Sequence, residues 1–310
     1  MRDYAVIFPG QGSQNITMLQ EYSDNVKFND AINEASEILG YSIKAIVEEE
    51  KLNNTLYTQP VLLAVSNAIW NVWKSKISTL PKVAAGHSLG EYSALVAAEA
   101  LSLKDGLELV STRASLMVEH SRANPTAMAA VIGLNQRKII ELCENISEPN
   151  SVLEAVNFNS SQQTVIGGHV DAIDRSVEIF KKEGAKIVKK LSVSLASHTS
   201  LLEICSKDLN KYLNNMTFKK PIFPIVHNFD ASSKEQISDI INSLSEQVCS
   251  PVRWTESMTK ISTMGVNTFL EVGPGQVLSG LNKRIDKNFT TYPLSGESEM
   301  FAATEGLGDE

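Results

Sequence analysis

Short apolar runs alternate with longer amphipathic segments along most of the chain. This alternation is typical of a mostly parallel sheet flanked by helices. Strands are predicted at 4–8, 82–85, 222–228 and 267–272, and helices at 60–74, 89–100 and 102–121. Ser102 is a suitable N-cap for the last of these helices. The outer parts of the chain therefore predict one large α/β domain.

The middle of the chain has a different order of elements. Strand-like runs at 128–134, 152–158, 163–167 and 185–193 are interleaved with two helical segments, one after Asn135 and one at 171–182. The order β-α-β-β-α-β is that of a ferredoxin-like unit. We therefore expect a small ferredoxin-like domain at 125–194, inserted into a large domain made of 1–124 and 195–296. The segment 297–310 has little apolar periodicity and is expected to be a frayed tail.

Composition and charge narrow the classes of function. The chain has 310 residues, 43% of them hydrophobic, and a formal net charge of −8 at pH 7, which argues against nucleic acid or an anionic membrane as a partner. No window approaches the roughly 18 apolar residues of a membrane span, and no signal peptide is evident. The three cysteines are scattered and predict a reducing compartment. We expect a cytoplasmic protein.

A serine lies between two glycines in the stretch Gly86-His87-Ser88-Leu89-Gly90. The stretch has the spacing of a nucleophile elbow and lies between a predicted strand and a predicted helix, as such an elbow requires. The backbone amide after the serine would then face a developing oxyanion at the helix N-terminus. The alternative is a glycine-rich turn whose serine has no chemical role.

A nucleophilic serine needs a base, which is usually histidine. The chain has five histidines, namely His87, His120, His169, His198 and His227. His198 follows a predicted strand and precedes a helix, where such folds place functional residues. His227 lies in an apolar run and is interpreted as a core histidine. His87 is adjacent to Ser88 in a sharp turn, which sends neighbouring side chains in different directions. His120 ends a polar helix, and His169 lies in a turn of the predicted small domain. By elimination His198 is the best candidate for the base.

Arg113 lies beside the apolar stripe of the helix at 102–121. Its neighbours three and four positions away are apolar, and no acidic residue of the same helix is placed to pair with it. The side chain could form a tertiary salt bridge or extend into solvent. It could also bind a substrate carboxylate through two parallel hydrogen bonds.

The sequence lacks the signatures of a nucleotide site and of a metal site. The loop at 8–14 has neither the third glycine of a dinucleotide-binding fingerprint nor the Gly-Lys-Ser/Thr of a P-loop. It could bring a second backbone N–H beside Ser88. No group of residues has the spacing of metal ligands, so no metal site is predicted.

Several motifs in a fixed order carry a resemblance to a known family. They are FPGQGSQ (8–14), TQP (58–60), AGHSLGEYSAL (85–95), MAAVIGL (128–134), VNFNS (156–160), SH (197–198) and EVGPGQVLSGL (271–281). Together they resemble the bacterial malonyl-CoA:acyl-carrier-protein transacylases over nearly the whole chain. The resemblance implies an α/β-hydrolase-like large domain with an inserted ferredoxin-like small domain.

The resemblance also implies roles for particular residues. The nucleophile would be Ser88, the base His198, the oxyanion-binding amides those of Gln11 and Leu89, and the residue that binds the malonyl carboxylate Arg113. The following residues are expected to support the site: Gln247 through its backbone carbonyl, Asn159 with Asn157 from the small domain, Met117 and His87.

The function implied is transfer of a malonyl group from malonyl-CoA to the phosphopantetheine thiol of an acyl carrier protein, through a malonyl-serine intermediate, in fatty acid biosynthesis. Coenzyme A thioester and phosphopantetheine would be substrates, and no cofactor is expected. We expect a monomer that docks the carrier protein through lysine clusters at 186–190 and 283–287. The alternatives are a serine thioesterase or esterase with the same Ser–His pair, and a non-catalytic docking subunit.

Overall fold

The computed structural model describes residues 3–49, 51–122, 125–193 and 195–308. The strands are β1 (Ala5–Phe8), β2 (Val83–Gly86), β3 (Thr126–Ile132), β4 (Leu153–Ser160), β5 (Gln163–His169), β6 (Ile187–Lys190), β7 (Ile225–Val226), β8 (Thr268–Glu271) and β9 (Thr290–Pro293). The helices are α1 (Val26–Leu39), α2 (Ile43–Glu48), α3 (Thr55–Lys76), α4 (Gly90–Ala97), α5 (Leu103–Ser121), α6 (Gln136–Ile146), α7 (Val170–Lys182), α8 (Glu203–Leu213), α9 (Ile237–Gln247), α10 (Trp254–Thr263), α11 (Val277–Ile285) and α12 (Glu297–Leu307).

Five strands form a parallel sheet in the order β7-β2-β1-β8-β9. The central strands β1 and β2 are buried along their whole length. Continuous apolar burial is expected of a parallel sheet covered by helices on both faces. One face packs on a large core that contains α1, α3 and α5, and the other on a smaller core with α10 and α11.

A second sheet is antiparallel, in the order β4-β5-β3-β6. Helices α6 and α7 cover one of its faces and form a separate hydrophobic core with it. The chain order β-α-β-β-α-β is the one predicted. The mixed α/β fold class with a parallel and a separate antiparallel sheet is therefore confirmed. The predicted domain boundaries at 124 and 194 fall on residues outside the described part of the chain, and the division into domains stays a prediction.

Most predicted elements are present with shifted ends. Helix α3 begins at Thr55 rather than at 60, because the Asn54 side chain accepts a hydrogen bond from the Leu56 amide and caps the helix there. Pro60 therefore lies inside the helix. The predicted strand at 222–228 is only two residues long, β7.

The prediction of a frayed tail at 297–310 is wrong for residues 297–307, which form α12. Met300, Ala303 and Leu307 of this helix are buried in the large core. Their spacing of three and four positions is that of one helix face, but the stripe is short and Phe301 beside it is exposed. The helix ends at Gly308, which has a left-handed φ of 76°.

The segment between α9 and α10 pairs with the antiparallel sheet through the backbone. Val252 donates a hydrogen bond to the carbonyl of Val156 and accepts one from the amide of Phe158, both on β4. Thr255 adds a third bond to the Phe158 carbonyl. These contacts fix β4 against the start of α10, a helix that packs on the parallel sheet. No helix within the described part of the chain is long and apolar enough to cross a membrane.

Candidate active site

The carboxyl ends of the parallel strands meet at one edge of the sheet. The loop after β1 contains Gln11, the turn after β2 contains Ser88, and β7 is followed at once by His227 and Asn228. Open α/β sheets place their ligand sites at this edge. The sheet therefore gathers residues that are far apart in the sequence.

The turn at Ser88 is sharp because helix α4 returns very close to the sheet. A Cβ atom on Gly86 would lie 1.9 Å from the carbonyl carbon of Gly90, and one on Gly90 would lie 2.0 Å from the carbonyl oxygen of Phe8. Only glycine allows this approach. Ser88 itself has a φ of 52°, a strained conformation for a residue with a side chain. The local geometry is that of a nucleophile elbow.

The structure brings Ser88 and His198 together. Ser88 Oγ lies 2.8 Å from His198 Nε2, and His198 Nδ1 lies 2.6 Å from the backbone oxygen of Gln247. A carbonyl oxygen can only accept, so the hydrogen of the neutral imidazole is on Nδ1. Nε2 is then free to accept the proton of the Ser88 hydroxyl. This is the hydrogen-bonding state of a general base.

The protein environment keeps His198 neutral. The side chain is 2% exposed. Burial, followed by the positive charge of Arg113, lowers the pKa of His198 from its ordinary 6.5 to about 3. Both causes disfavour the imidazolium, since burial penalises any charge and the guanidinium repels a like charge. His198 is therefore unprotonated at neutral pH.

Arg113 is 1% exposed and reaches the Ser88 hydroxyl. Its NH1 donates to Gln59 Oε1 at 2.6 Å, and its NH2 donates to Gln247 Oε1 at 3.1 Å and to Ser88 Oγ at 3.3 Å. The guanidinium also packs 5.2 Å from the ring centre of Tyr92. None of the described carboxylates pairs with the guanidinium, and its Nε has no hydrogen-bond partner among all the described residues. The interpretations as a salt-bridged or solvent-directed side chain are wrong.

The two amides expected to bind an oxyanion are both unoccupied. Neither the Gln11 nor the Leu89 backbone N–H donates a hydrogen bond to another described residue. Gln11 lies in the loop after β1, and Leu89 immediately precedes α4. An oxyanion site requires free backbone amides such as these, and Gln11 lines the same cleft as Ser88. Their role stays a prediction.

The other predicted residues lie at different distances from the reacting pair. His87 Nε2 lies 2.8 Å from Asn159 Oδ1, and the His87 ring centre is 5.4 Å from that of Trp254. Burial lowers the pKa of His87. Met117 is fully buried, four positions after Arg113 on α5, and its sulfur lies 3.6 Å from the side-chain nitrogen of Gln59, which donates to it.

Three buried polar residues of the site were not predicted: Gln59, Glu91 and Asn228. Gln59 lies within the TQP motif, and Glu91 follows the second glycine of the elbow, but the sequence predicted a role for neither. Asn228 ends a short apolar run beside His227. His227 is a paired core histidine, as interpreted, with Nδ1 2.7 Å from Glu91 Oε1. Polar residues in apolar surroundings were the available signal.

A cleft of about 550 Å³ lies above Ser88. Gln11, His87 and Ser88 line it from the parallel sheet, and helix α11 contributes Val277 and Leu281. The antiparallel sheet contributes several polar side chains, which are Asn157, Asn159 and Gln163. The buried Oδ1 of Asn157 has no partner among the described residues. A long, partly polar substrate can therefore enter between the two sheets and reach the serine. Within the described ranges, no cluster of side chains could hold a metal ion.

Comparisons with known proteins identify the family of the chain. The model of the acyl transferase domain matches residues 5–296. The malonyl CoA-acyl carrier protein transacylase of Haemophilus influenzae is 42% identical over 312 residues, covering 99% of this chain and 100% of that protein. The protein of the same name from Salmonella typhimurium is 40% identical over 307 residues, covering 98% of this chain and 99% of that protein.

Solved structures are similar over the same length. The malonyl CoA-acyl carrier protein transacylase of Coxiella burnetii superposes with a TM-score of 0.95 at 37% identity, covering 99% of this chain and 98% of that one. A malonyl-transacylase in complex with a type II PKS acyl-carrier protein superposes with a TM-score of 0.95 at 39% identity, covering 98% of this chain and 100% of that one. The chain therefore belongs to the acyl transferase domain family, and its full-length relatives within that family are malonyl CoA-acyl carrier protein transacylases.

Proposed function

We propose that this chain transfers a malonyl group from malonyl-CoA to the phosphopantetheine thiol of an acyl carrier protein, in fatty acid biosynthesis. The reaction proceeds through a malonyl ester on Ser88. One observation carries the assignment: the buried Arg113 guanidinium, without a carboxylate partner among the described residues, donates to the hydroxyl of Ser88. A buried guanidinium needs an anionic partner, and the free carboxylate of a dicarboxylic acyl group on Ser88 would supply it.

In the first half-reaction His198 Nε2 takes the hydroxyl proton as Ser88 Oγ forms a bond to the thioester carbonyl carbon. The amides of Gln11 and Leu89 bind the resulting oxyanion, for which each donor typically contributes about 3 kcal/mol. The C–S bond then breaks, and the proton on His198 passes to the leaving thiolate of coenzyme A. The malonyl group remains on Ser88 Oγ.

The second half-reaction repeats these steps with a different thiol. The phosphopantetheine thiol gives its proton to His198 and attacks the ester carbon, and the proton returns to Ser88 Oγ as the C–O bond breaks. The substrates carry all the groups transferred, so the scheme needs no cofactor.

Arg113 binds the free carboxylate of the malonyl group. A bound carboxylate also offsets the charge that lowers the pKa of His198, so the imidazole becomes a better base toward the Ser88 hydroxyl once malonyl is in place. An acetyl group supplies no such charge. The expected discrimination exceeds the roughly 10- to 200-fold that a single methylene group provides.

The carrier protein docks at the mouth of the cleft. Lys283, Arg284 and Lys287 are exposed and follow Leu281, which lines the cleft, and Arg284 donates to Gln163 across the mouth. The second cluster, Lys186, Lys189 and Lys190, is exposed just before the cleft residue Leu191. Positive side chains on both sides of the mouth favour an acidic partner despite the net charge of −8.

The free cysteines favour a reducing, cytoplasmic setting for the reaction.

Radiolabelled malonyl-CoA tests the proposal. The wild-type chain should retain about one label per molecule and release it to a phosphopantetheinylated carrier protein, whereas Ser88→Ala should retain none. Ser115→Ala, an exposed serine of α5, is the matched control and should label fully. Rapid release of malonate without carrier protein would instead identify a thioesterase. Equal labelling of wild type and Ser88→Ala would refute the serine intermediate.

A further inference from the structure

Glu91 is a buried carboxylate that touches neither reacting group. It is the second residue of α4 and is fully buried. Its Oε1 lies 2.7 Å from His227 Nδ1, and its Oε2 accepts from the Asn228 amide at 3.0 Å and from Gln247 Nε2 at 2.8 Å. A buried carboxylate is costly unless all its neighbours donate to it, and here each of them does.

Gln247 connects Glu91 to the guanidinium. Gln247 Nε2 donates both to Glu91 Oε2 and to the Ser88 carbonyl oxygen, which leaves Oε1 as the acceptor for Arg113 NH2. Rotating the amide by half a turn would place its NH₂ group against the donors of Arg113 and its oxygen against two acceptors. Glu91 therefore selects one of two amide orientations.

Asn228 connects Glu91 to the elbow. Asn228 Oδ1 accepts from the Ser88 amide at 2.7 Å, and Nδ2 donates to the Gly86 carbonyl at 2.6 Å. The two bonds hold both sides of a turn whose serine has a positive φ. The Asn228 backbone is in turn held by Glu91.

We propose that Glu91 is a positioning residue that fixes the Gln247 amide and, through it, holds the Arg113 guanidinium beside Ser88. The proposal rests on the proposed function, because its consequence is the preference for a malonyl over an acetyl group. Glu91 acts by accepting hydrogen bonds at Oε2, and its negative charge is not required.

Glu91→Gln should keep the hydrogen bonds of the network although it removes the negative charge. The glutamine oxygen can take the place of Oε2 and keep both of its donors, which leaves the NH₂ group facing His227 Nδ1. His227 Nε2 has no partner in the described part of the chain. The imidazole can therefore move its proton to Nε2 and accept at Nδ1. The conservative variant should preserve the network.

The test compares acylation by malonyl-CoA and acetyl-CoA in four variants: Glu91→Gln, Glu91→Ala, Gln247→Leu and the double variant Glu91→Ala/Gln247→Leu. The ratio of the two kcat/KM values, malonyl over acetyl, should stay within about threefold of wild type in Glu91→Gln and fall at least about fivefold in Glu91→Ala and in Gln247→Leu. If Glu91 acts through Gln247, the ratio in the double variant is no lower than in Gln247→Leu alone.

Glu271→Gln is the matched control. Glu271 is the other fully buried glutamate described, and it accepts hydrogen bonds from Leu278 and Ser279 at the start of α11, away from Arg113. Its substitution should leave the ratio unchanged. A wild-type ratio in Glu91→Ala, a loss in Glu91→Gln as large as in Glu91→Ala, or effects that multiply in the double variant would overturn the proposal.

Three outcomes separate the role of Glu91 from the proposed function and from a failure to fold. Should Glu91→Ala not fold, Glu91→Gln must keep the wild-type ratio and Gln247→Leu must lower it, and the reverse in either variant overturns the proposal. A wild-type chain that transfers no malonyl group overturns the proposed function itself. An active wild type with an unchanged ratio in Glu91→Ala overturns the role of Glu91 alone.

Discussion

Ser88 Oγ and His198 Nε2 lie 2.8 Å apart, although 110 positions separate the two residues. Both have positive φ angles, 52° and 67°, so each end of the hydrogen bond is held in a strained backbone conformation. The strain is maintained by neighbours, since the Asn228 side chain holds the Ser88 amide and the Val248 carbonyl accepts from the His198 amide. The pair is therefore set in place before substrate binds.

Arg113→Ala should lower kcat/KM for malonyl-CoA by about 100-fold or more and change that for acetyl-CoA by less than about tenfold, because only the malonyl group carries a charge to pair. Arg113→Lys keeps the charge without the planar fork and should lie between the two. Steady-state transfer with both thioesters measures the difference. Equal losses for malonyl and acetyl would contradict carboxylate binding by Arg113.

The acylation rate should remain high in acid. The base must be unprotonated, and the pKa of His198 is lowered to about 3. Release of coenzyme A in a single turnover should therefore change less than about threefold between pH 8 and 5, whereas a histidine with its ordinary pKa would lose about 30-fold. In Arg113→Ala, assayed with acetyl-CoA, the acid limb should move to higher pH, since one cause of the lowered pKa is gone. A wild-type acid limb centred near pH 6.5 would refute the neutral base.

The lowered pKa of His198 also predicts that the folded protein loses stability in acid. Between the unfolded pKa of His198, ordinarily 6.5, and the folded value of about 3, the unfolded chain binds a proton that the native state does not. The free energy of unfolding therefore falls as pH falls through this window, by about 1.4 kcal/mol per pH unit from this group. Urea unfolding at pH 6 and 5 should show a shallower decline for His198→Asn than for wild type. Ser88→Ala retains the imidazole and should follow wild type, and parallel curves for His198→Asn and wild type would rule the effect out.

Gly90→Ala should destabilise the fold by at least about 2 kcal/mol and abolish acylation, because the new methyl group would meet the Phe8 carbonyl oxygen at 2.0 Å. Gly280→Ala is the matched control. Gly280 lies inside α11 with nothing within 4 Å of the added carbon, so its replacement should stabilise the protein by up to about 1 kcal/mol. Equal thermal midpoints for both variants would show that the elbow does not need the close approach.

Helix α12 offers a comparison of adjacent residues. Met300 is fully buried and Phe301 is 65% exposed. Met300→Ala should cost about 2–5 kcal/mol, while Phe301→Ala should stay within about 0.5 kcal/mol. Chemical unfolding of the two variants measures the difference. A frayed segment in solution would make both substitutions neutral.

Local patterns predicted much of the architecture from particular residues. The apolar runs at 4–8 and 82–85 mark the central strands, Ser102 caps the helix predicted after it, and the glycines around Ser88 require a tight strand-to-helix turn. Arg113 was conspicuous because its own helix offered it no partner. These signals are readable because capping, periodicity and glycine tolerance act between residues close in the sequence.

Contacts between segments that are distant in the sequence could not be predicted from such local patterns. Nothing near Glu91 in the sequence indicates that its partners are Asn228 and Gln247, and only the order of the parallel strands brings them to one edge. The burial of α12 likewise depends on the core it meets.

By itself, the sequence determined the α/β class, the elbow and an arginine that needs a partner. The sequence also made His198 the candidate base. The tertiary structure placed its Nε2 beside the Ser88 hydroxyl, and it alone decided where the Arg113 guanidinium points and what holds it there. The physical reason is that local backbone preferences are encoded within a few residues, whereas the pairing of buried polar groups depends on how whole elements pack.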